Sequence, residues 1–348
     1  MKNLIIFIFI FLFVTLIFPD KPGSLRELAK PRGIEVAGEE VFIVEGATIF
    51  VYSLENLNLL RKFGREGEGP GELNVAPFLA NTMAVYPDFI TLQSMHKVIY
   101  FSKKGKLIKE EKKKIQFTQK LPVGENFIVR KRLREDKLQY STINLYKPKT
   151  GILKELHRQR FAGAKQWETD MVPDSIHIRV FRDKIFIEKS SEGFVIDVYD
   201  SEGEKLYRIN KQYQKITVRD DYKEKALKLL RDDPFMKIQP AGFWETFKKK
   251  NIFLYPESFP AIRDFIISDD EIYVQTYKKQ NNEEEYVIMD LKGNILKRVF
   301  LPDVQKPGFV ERMMGIGIKY YSIQSEKLYY LFENKDTEDW ELYVTDIK

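Results

Sequence analysis

The side chains best suited to acid-base or metal chemistry are three histidines, His96, His157 and His177. His177 stands out because it lies, with Asp174 and Arg179 close by, in a stretch that predicts an innermost β-strand. There it can contact a ligand or act as a base, although a lone histidine more often makes a structural hydrogen bond. No two histidines have metal-site spacing, and the HExxH and GxSxG patterns are absent. The sequence therefore predicts no catalytic residue, no metal ligand and no cofactor.

The most distinctive local motif is FGREGEGPGEL at residues 63–73, called the crossover segment below. Its backbone is specified by Gly64, Gly67, Gly69, Pro70, Gly71 and Glu72. Glycine tolerates positive φ, and proline fixes its own φ and restricts the residue before it. Glu72 stands where a Walker loop needs lysine and where a dinucleotide fingerprint needs its third glycine. The segment therefore predicts a tight structural turn pinned by Arg65 and Glu72, with ligand contact by Arg65 or Glu68 as the alternative.

The elements that must position these side chains recur along the chain. Each unit has an apolar strand, a polar turn, a second apolar strand, a turn usually containing glycine, and a more charged third strand. The turn glycines Gly105, Gly151 and Gly203 are 46 and 52 residues apart, close to the period of a propeller blade. The next such glycine, Gly293, comes much later, which indicates an insertion. The layout predicts an all-β fold of six blades, or seven if the insertion hides one.

The crossover segment also carries a family resemblance. A strand followed by F-G-R-x-G-x-G-P-G-E-L resembles the first blade junction of secreted six-bladed β-propellers related to the NHL-repeat family. The resemblance implies one six-bladed β-propeller over residues 21–348. Because such relatives are mostly binding or scaffolding domains, it also implies a binding or scaffolding role with no assigned reaction.

A metal-dependent enzyme is the alternative. Some propellers are hydrolases or lyases that hold a divalent metal in the central tunnel through side chains from different blades. Asp88, Asp174, Asp264 and Asp269 stand near predicted strand starts and could converge there. Aspartate is also common in turns, where it bonds its own backbone.

Two further segments complete the predicted architecture. Residues 25–28 are expected to supply the missing outer strand of the last blade, closing the ring. Residues 218–260, between blades four and five, predict two short helices and an aromatic cluster that docks on the propeller or forms a lid or partner surface. Trp167 and Trp244 are candidate ligand contacts, alongside Arg65, Glu68 and His177.

The N-terminus and the composition bear on location and partners. Leu4 to Phe18 carries no charge and no proline, which is short for a span of about 20 residues and typical of a signal peptide. Residues 1–20 therefore predict export, with cleavage or as an uncleaved anchor.

The chain has 0 cysteines, which excludes disulfides and thiolate sites. Its net charge of +6 includes no continuous basic stripe, so we expect a protein or saccharide ligand rather than nucleic acid.

Overall fold

The computed structural model describes residues 23–75, 82–94, 96–112, 117–136, 138–160, 167–172, 176–304 and 319–348. Within these ranges the chain forms six four-stranded antiparallel sheets and two short parallel ribbons. Innermost strands of neighbouring sheets contact one another, and Gln93 of the second sheet donates to the Lys120 carbonyl of the third at 3.2 Å, so the sheets are the blades of a ring. The predicted six-bladed β-propeller is confirmed. The predicted targeting segment, residues 1–20, lies outside the described residues.

The first half of the chain forms three blades, each running outwards from its inner strand. The chain begins with β1 (Gly23–Ser24). Blade one contains β2 (Gly33–Ala37), β3 (Glu40–Glu45), β4 (Thr48–Ser53) and β5 (Leu59–Phe63). A parallel ribbon follows, made of β6 (Arg65–Glu66) and β7 (Glu72–Leu73). Blade two contains β8 (Thr82–Val85), β9 (Phe89–Gln93), β10 (Lys97–Ser102) and β11 (Leu107–Lys112). Blade three contains β12 (Phe117–Val123), β13 (Asn126–Glu135), β14 (Leu138–Lys147) and β15 (Gly151–Arg160).

The second half contains the insertion as well as three blades. Strand β16 (Glu168–Asp170) precedes blade four, which contains β17 (Ile178–Phe181), β18 (Lys184–Glu188), β19 (Phe194–Tyr199) and β20 (Lys205–Lys211). The insertion contains α1 (Asp220–Arg231), α2 (Pro234–Lys237), α3 (Phe243–Lys250) and β21 (Ile252–Leu254). Blade five contains β22 (Asp264–Ser268), β23 (Glu271–Gln280), β24 (Glu283–Asp290) and β25 (Ile295–Pro302). Blade six contains β26 (Tyr321–Gln324), β27 (Lys327–Glu333), β28 (Trp340–Asp346) and the distant β1.

The core lies between the blades, because the middle strands bury both faces while the outer strands bury little. Strand β3 is almost fully buried, with Phe42 packing towards blade two and Ile43 towards blade six. Strand β11, at the outer edge of blade two, is mostly exposed and charged. This decrease in burial towards the outer strand explains why each repeat reads in the sequence as two apolar strands followed by a charged one.

The N-terminal residues close the ring. Strand β1 pairs with β28, and the Leu25 N–H donates to the Trp340 carbonyl at 2.7 Å. Leu25 and Leu28 are buried between blades six and one. The predicted closure is confirmed, with one difference: the pairing residues are Gly23–Ser24, and residues 25–28 turn inwards because their leucines fill the interblade core.

The insertion packs on a segment that precedes blade four. Strand β21 pairs in parallel with β16, and Met171 shares a small core with Ala226 and Leu230 of α1. Phe259 stacks on Tyr277 of blade five, with ring centroids 4.6 Å apart, so the insertion also contacts the propeller body. Within the described ranges no helix has the length and hydrophobicity needed to span a bilayer.

Candidate binding site at the channel mouth

The central channel contains a cavity of about 930 Å³. All six inner strands contribute to its lining, so the cavity exists only because the ring closes. Its volume lies within the range of small-molecule sites, about 300 to 1,000 Å³. The end at which β17, β22 and β26 begin carries most of the buried charge, and we call it the channel mouth.

His177 lies at this mouth, directly before β17. Its Nδ1 is 2.5 Å from Oε2 of Glu188, and its backbone N–H donates to the same oxygen at 3.2 Å. Glu188 ends β18 and is 1% exposed. On the other side, Nε2 of His177 is 3.6 Å from Asp264 Oδ1. The imidazole is thus held between carboxylates of blades four and five.

Asp264 connects three blades. Its Oδ1 accepts from Nη2 of Arg179 at 2.6 Å and from the Phe265 N–H at 2.7 Å. Its Oδ2 accepts from the Tyr321 hydroxyl of blade six at 3.1 Å. Four donors therefore surround this carboxylate, counting His177. We call Arg130, His177, Arg179, Asp264 and Tyr321 the mouth cluster, and Arg130 is described below.

These contacts shift the protonation equilibria of the cluster. Burial alone works to lower the pKa of His177, but the charges of Glu188 and Asp264 outweigh it and raise the pKa above its usual value. Burial works to raise the pKa of Asp264, yet the charges of Arg179 and His177 hold it below its usual value. Both shifts favour the charged forms, so His177 and Asp264 form an ion pair over a wider pH range than in water.

A second ion pair connects the mouth to the insertion. Nη1 of Arg263 is 2.5 Å from Oε1 of Glu284, and its guanidinium lies 5.1 Å from the ring centroid of Tyr277. Phe259 of the insertion stacks on that same tyrosine. A contact chain therefore leads from the helical insertion to the wall of the cavity.

Only one of the predicted contact residues lines the cavity. His177 does, whereas Trp167, Trp244, Arg65 and Glu68 lie elsewhere on the described surface. The side chain of Trp167 is 46% exposed, and its carbonyl accepts from the Ile252 N–H at 2.7 Å. Trp244 packs against Phe247 in the small core of the insertion.

The crossover segment is bonded mainly to itself and to blade two. Arg65 Nη2 is 2.6 Å from Glu72 Oε1, and the Gly69 N–H donates to the other Glu72 oxygen at 2.8 Å. A Cβ at Gly67 would stand 2.1 Å from that second oxygen, so only glycine allows the carboxylate to turn inwards. The Gly71 N–H donates to Glu110 of β11 at 3.0 Å. This geometry is that of a structural turn.

The donor set of the mouth suits anions better than cations. Among the described residues, no group of three or more His, Asp or Glu side chains is arranged to hold a metal ion. Asp264, the one predicted carboxylate ligand that reaches the cluster, already accepts from Arg179, Tyr321 and a backbone N–H. Asp269 occupies a left-handed turn between β22 and β23 and accepts from the Ser325 N–H, while Asp174 lies outside the described residues.

Sequence reasoning missed Arg130, Glu188 and Tyr321. Each lies in a strand that reads as apolar, and they belong to blades three, four and six. The available signal was an ionisable residue within a buried strand, as in Phe127–Ile128–Val129–Arg130. Such a residue needs a partner. The partners of Arg130 and Tyr321 lie outside their own blades, whereas Glu188 contacts His177, directly before its own blade.

Comparison with known proteins supports the fold. No protein-family profile matches the chain, and no curated protein matches its sequence. A solved structure from Bacteroides fragilis, whose name provisionally describes an exported protein, is 12% identical, with a TM-score of 0.51 over 94% of this chain and 95% of that one. A member of the DUF4221 family from Bacteroides vulgatus is 10% identical, with a TM-score of 0.44 over 94% and 96% of the two chains. The Cps50 β-propeller domain from Myceliophteria thermophila is 9% identical, with a TM-score of 0.41 over 94% and 99%.

The chain is therefore a six-bladed β-propeller. At 12% identity the likeness to the Bacteroides fragilis protein concerns the fold alone.

Proposed function

We propose that this protein is an exported binding domain that takes a small ligand, of saccharide size, into the mouth of its central channel. The cavity of about 930 Å³ is the observation that carries the proposal. It is closed at the sides by six inner strands and holds buried charged groups at one end, the combination expected of a ligand site. A folded protein partner would not fit such a space.

The architecture supports a binding role because site and scaffold are separate. Separate apolar cores pack neighbouring blades together at five interfaces, and none of these cores contains Arg130, His177, Arg179 or Asp264. Loops and strand ends at the mouth can then carry specificity. The export part of the proposal rests on the apolar segment at residues 4–18 and on the provisional description of the Bacteroides fragilis protein. A relation to NHL-repeat propellers rests on the crossover segment alone.

A blocking variant tests the site. Ala84 of β8 lines the cavity, so Ala84→Trp should occupy part of it, while Leu60→Trp adds the same side chain to a half-exposed position on β5. The unmodified protein and both variants would be heated with neutral and acidic mono- and disaccharides at about 10 mM, since a ligand that binds only the folded state raises Tm.

At least one saccharide should raise the Tm of the unmodified protein and of Leu60→Trp, and fail to do so for Ala84→Trp. An equal rise in Ala84→Trp, or no rise with any saccharide, contradicts the proposal. Export is checked separately by fusing residues 1–32 to alkaline phosphatase, which should be active only outside the cytoplasm.

A second candidate function is protein binding at the insertion. Trp167 and Ile252 are 46% and 59% exposed and adjacent, and Lys250 lies 5.5 Å from the tryptophan ring. Exposed aromatic and aliphatic side chains next to a cation are common at interfaces. Trp167→Ser with Ile252→Ser should abolish cross-linking to a partner in cells, and Leu229→Ser, equally exposed on α1, should not.

A further inference from the structure

The most unusual residue at the channel mouth is Arg130, in β13. It lines the cavity and is only 8% exposed. Its Nη2 donates to the Ile176 carbonyl, but its Nε is buried without a hydrogen-bond partner among the described residues. No described carboxylate lies within ion-pair distance of it. Burial and the charges of Arg132 and Arg179 outweigh the opposing charge of Glu188 and lower the pKa of Arg130 to about 10.

Arg179 repeats the pattern on the neighbouring blade. Its Nη2 is bonded to Asp264, yet its Nε is also buried with no partner in the part of the chain described. Arg130, Arg179 and protonated His177 thus supply three cationic groups, against the two carboxylates of Asp264 and Glu188. Among these five described groups, positive charges outnumber negative ones by one, and the buried Nε–H groups of both arginines have no hydrogen-bond partner in the described ranges.

A buried cation without a counter-ion is costly, because desolvation is not offset by attraction. Water can satisfy an N–H group but cannot neutralise the charge. The planar guanidinium donates in a fork that matches carboxylate and phosphate oxygens. The arrangement therefore suits an anion that enters from the cavity.

We propose that the channel mouth binds an anionic group, a carboxylate or a phosphate on a small ligand, through Arg130 with Arg179 beside it. This inference rests on the proposed function and narrows its ligand to acidic saccharides or sugar phosphates. Arg130 supplies the charge that the anion neutralises. Asp264 positions Arg179, and Tyr321 positions Asp264.

Calorimetric titration tests the proposal with glucuronate, glucose 6-phosphate and inorganic phosphate as probes and glucose as the neutral comparison. The proteins are the full chain, Arg130→Gln and Arg182→Gln. Arg182 is a matched control because it lines the same cavity from the other end of β17 and is already paired with Asp270 at 2.7 Å. A comparison of the affinities for glucuronate and glucose 6-phosphate shows whether the site prefers a carboxylate or a phosphate.

At least one charged probe should bind the full chain, with at least about tenfold weaker binding by Arg130→Gln, the loss expected for one charged hydrogen-bonded contact. Arg182→Gln should bind within about twofold of the full chain. Equal binding by Arg130→Gln, or preference for glucose over every anion, overturns the inference. If glucose binds and Ala84→Trp blocks it, the proposed function stands and only the anion assignment fails.

A stability measurement covers the case in which Arg130 is structural. Removing a buried cation that has no ion-pair partner among the described residues should relieve a penalty, so Arg130→Met without ligand should match or exceed the Tm of the full chain. The same variant should lose the rise in Tm caused by the anion. A fall in Tm of more than about 5 °C would assign Arg130 to the framework and overturn the proposal.

Discussion

The crossover segment and the channel mouth are both rich in charged residues, but they use those residues in opposite ways. In the crossover segment, Glu72 bonds Arg65 and Gly69 within a few residues of itself. At the mouth, Asp264 is bonded to residues from three blades, and the buried Nε–H of Arg130 has no partner among the residues that the structure describes. Local, complete pairing makes a rigid turn, whereas distant, incomplete pairing leaves a position that a ligand can complete.

The largest effect should come from the crossover segment. Gly64 has φ +79°, and a Cβ there would stand 2.5 Å from the Ala47 carbonyl oxygen. Gly64→Ala should therefore lower the free energy of unfolding by about 3 kcal/mol, through left-handed strain and the clash together. Gly38→Ala, at φ +64° with open space around it, should cost about 1 kcal/mol. Urea unfolding measures the free energy of unfolding of both variants. Equal losses would mean that a small backbone movement relieves the clash at Gly64.

The next effect concerns the mouth. Asp264→Asn removes the negative charge that pairs with Arg179 and His177. It should lower the free energy of unfolding by about 2 kcal/mol, less than for a fully buried pair because the carboxylate is 20% exposed. Asp346→Asn, which breaks an exposed pair with Lys327, should cost less than about 0.5 kcal/mol. If both substitutions lower the urea midpoint equally, the ion pairs of Asp264 contribute no more to stability than the exposed pair of Asp346 and Lys327.

A smaller effect should appear with pH. The pKa of His177 is raised above 6.5 in the folded state by Glu188 and Asp264, against burial and Arg179. Its stabilising contribution is therefore complete below pH 6.5 and is lost as pH rises through the higher folded pKa. Between pH 6 and 9, Tm should therefore fall more for the unmodified protein than for His177→Gln. Parallel curves would show that His177 does not bind extra protons on folding.

The smallest effect should be that of Arg65→Ala. Its side chain is 76% exposed, and exposed ion pairs contribute about 0 to 1 kcal/mol. The urea midpoint should barely change, because the glycines and the Gly69 N–H still hold Glu72. Anion titration should be unchanged as well. A loss of binding in this variant would move the site from the channel mouth to the crossover segment.

The two regions also differ in how far the sequence reveals them. The crossover segment is contiguous, so the tight turn at its glycines and its Arg65–Glu72 pair could be predicted from eleven consecutive residues. The mouth cluster extends from Arg130 to Tyr321, and only His177 was singled out as a contact. The inner strands that align these residues are short, as β8 and β17 show, and have no strong apolar period. Blade count and closure followed from spacing, but side-chain convergence depends on ring geometry.

The closing strand has a consequence for how the molecule is made. Ser24 Oγ reaches the Asp339 carboxylate at 3.3 Å, across 315 positions of chain. During synthesis the first strand must wait for almost every other strand before its partner exists. Until then, blades one and six each present an uncovered face or edge. Because the first and last blades are joined in this way, ring closure is a late step of folding, and Leu25 and Leu28 cannot be buried between these blades until the last strand has been made.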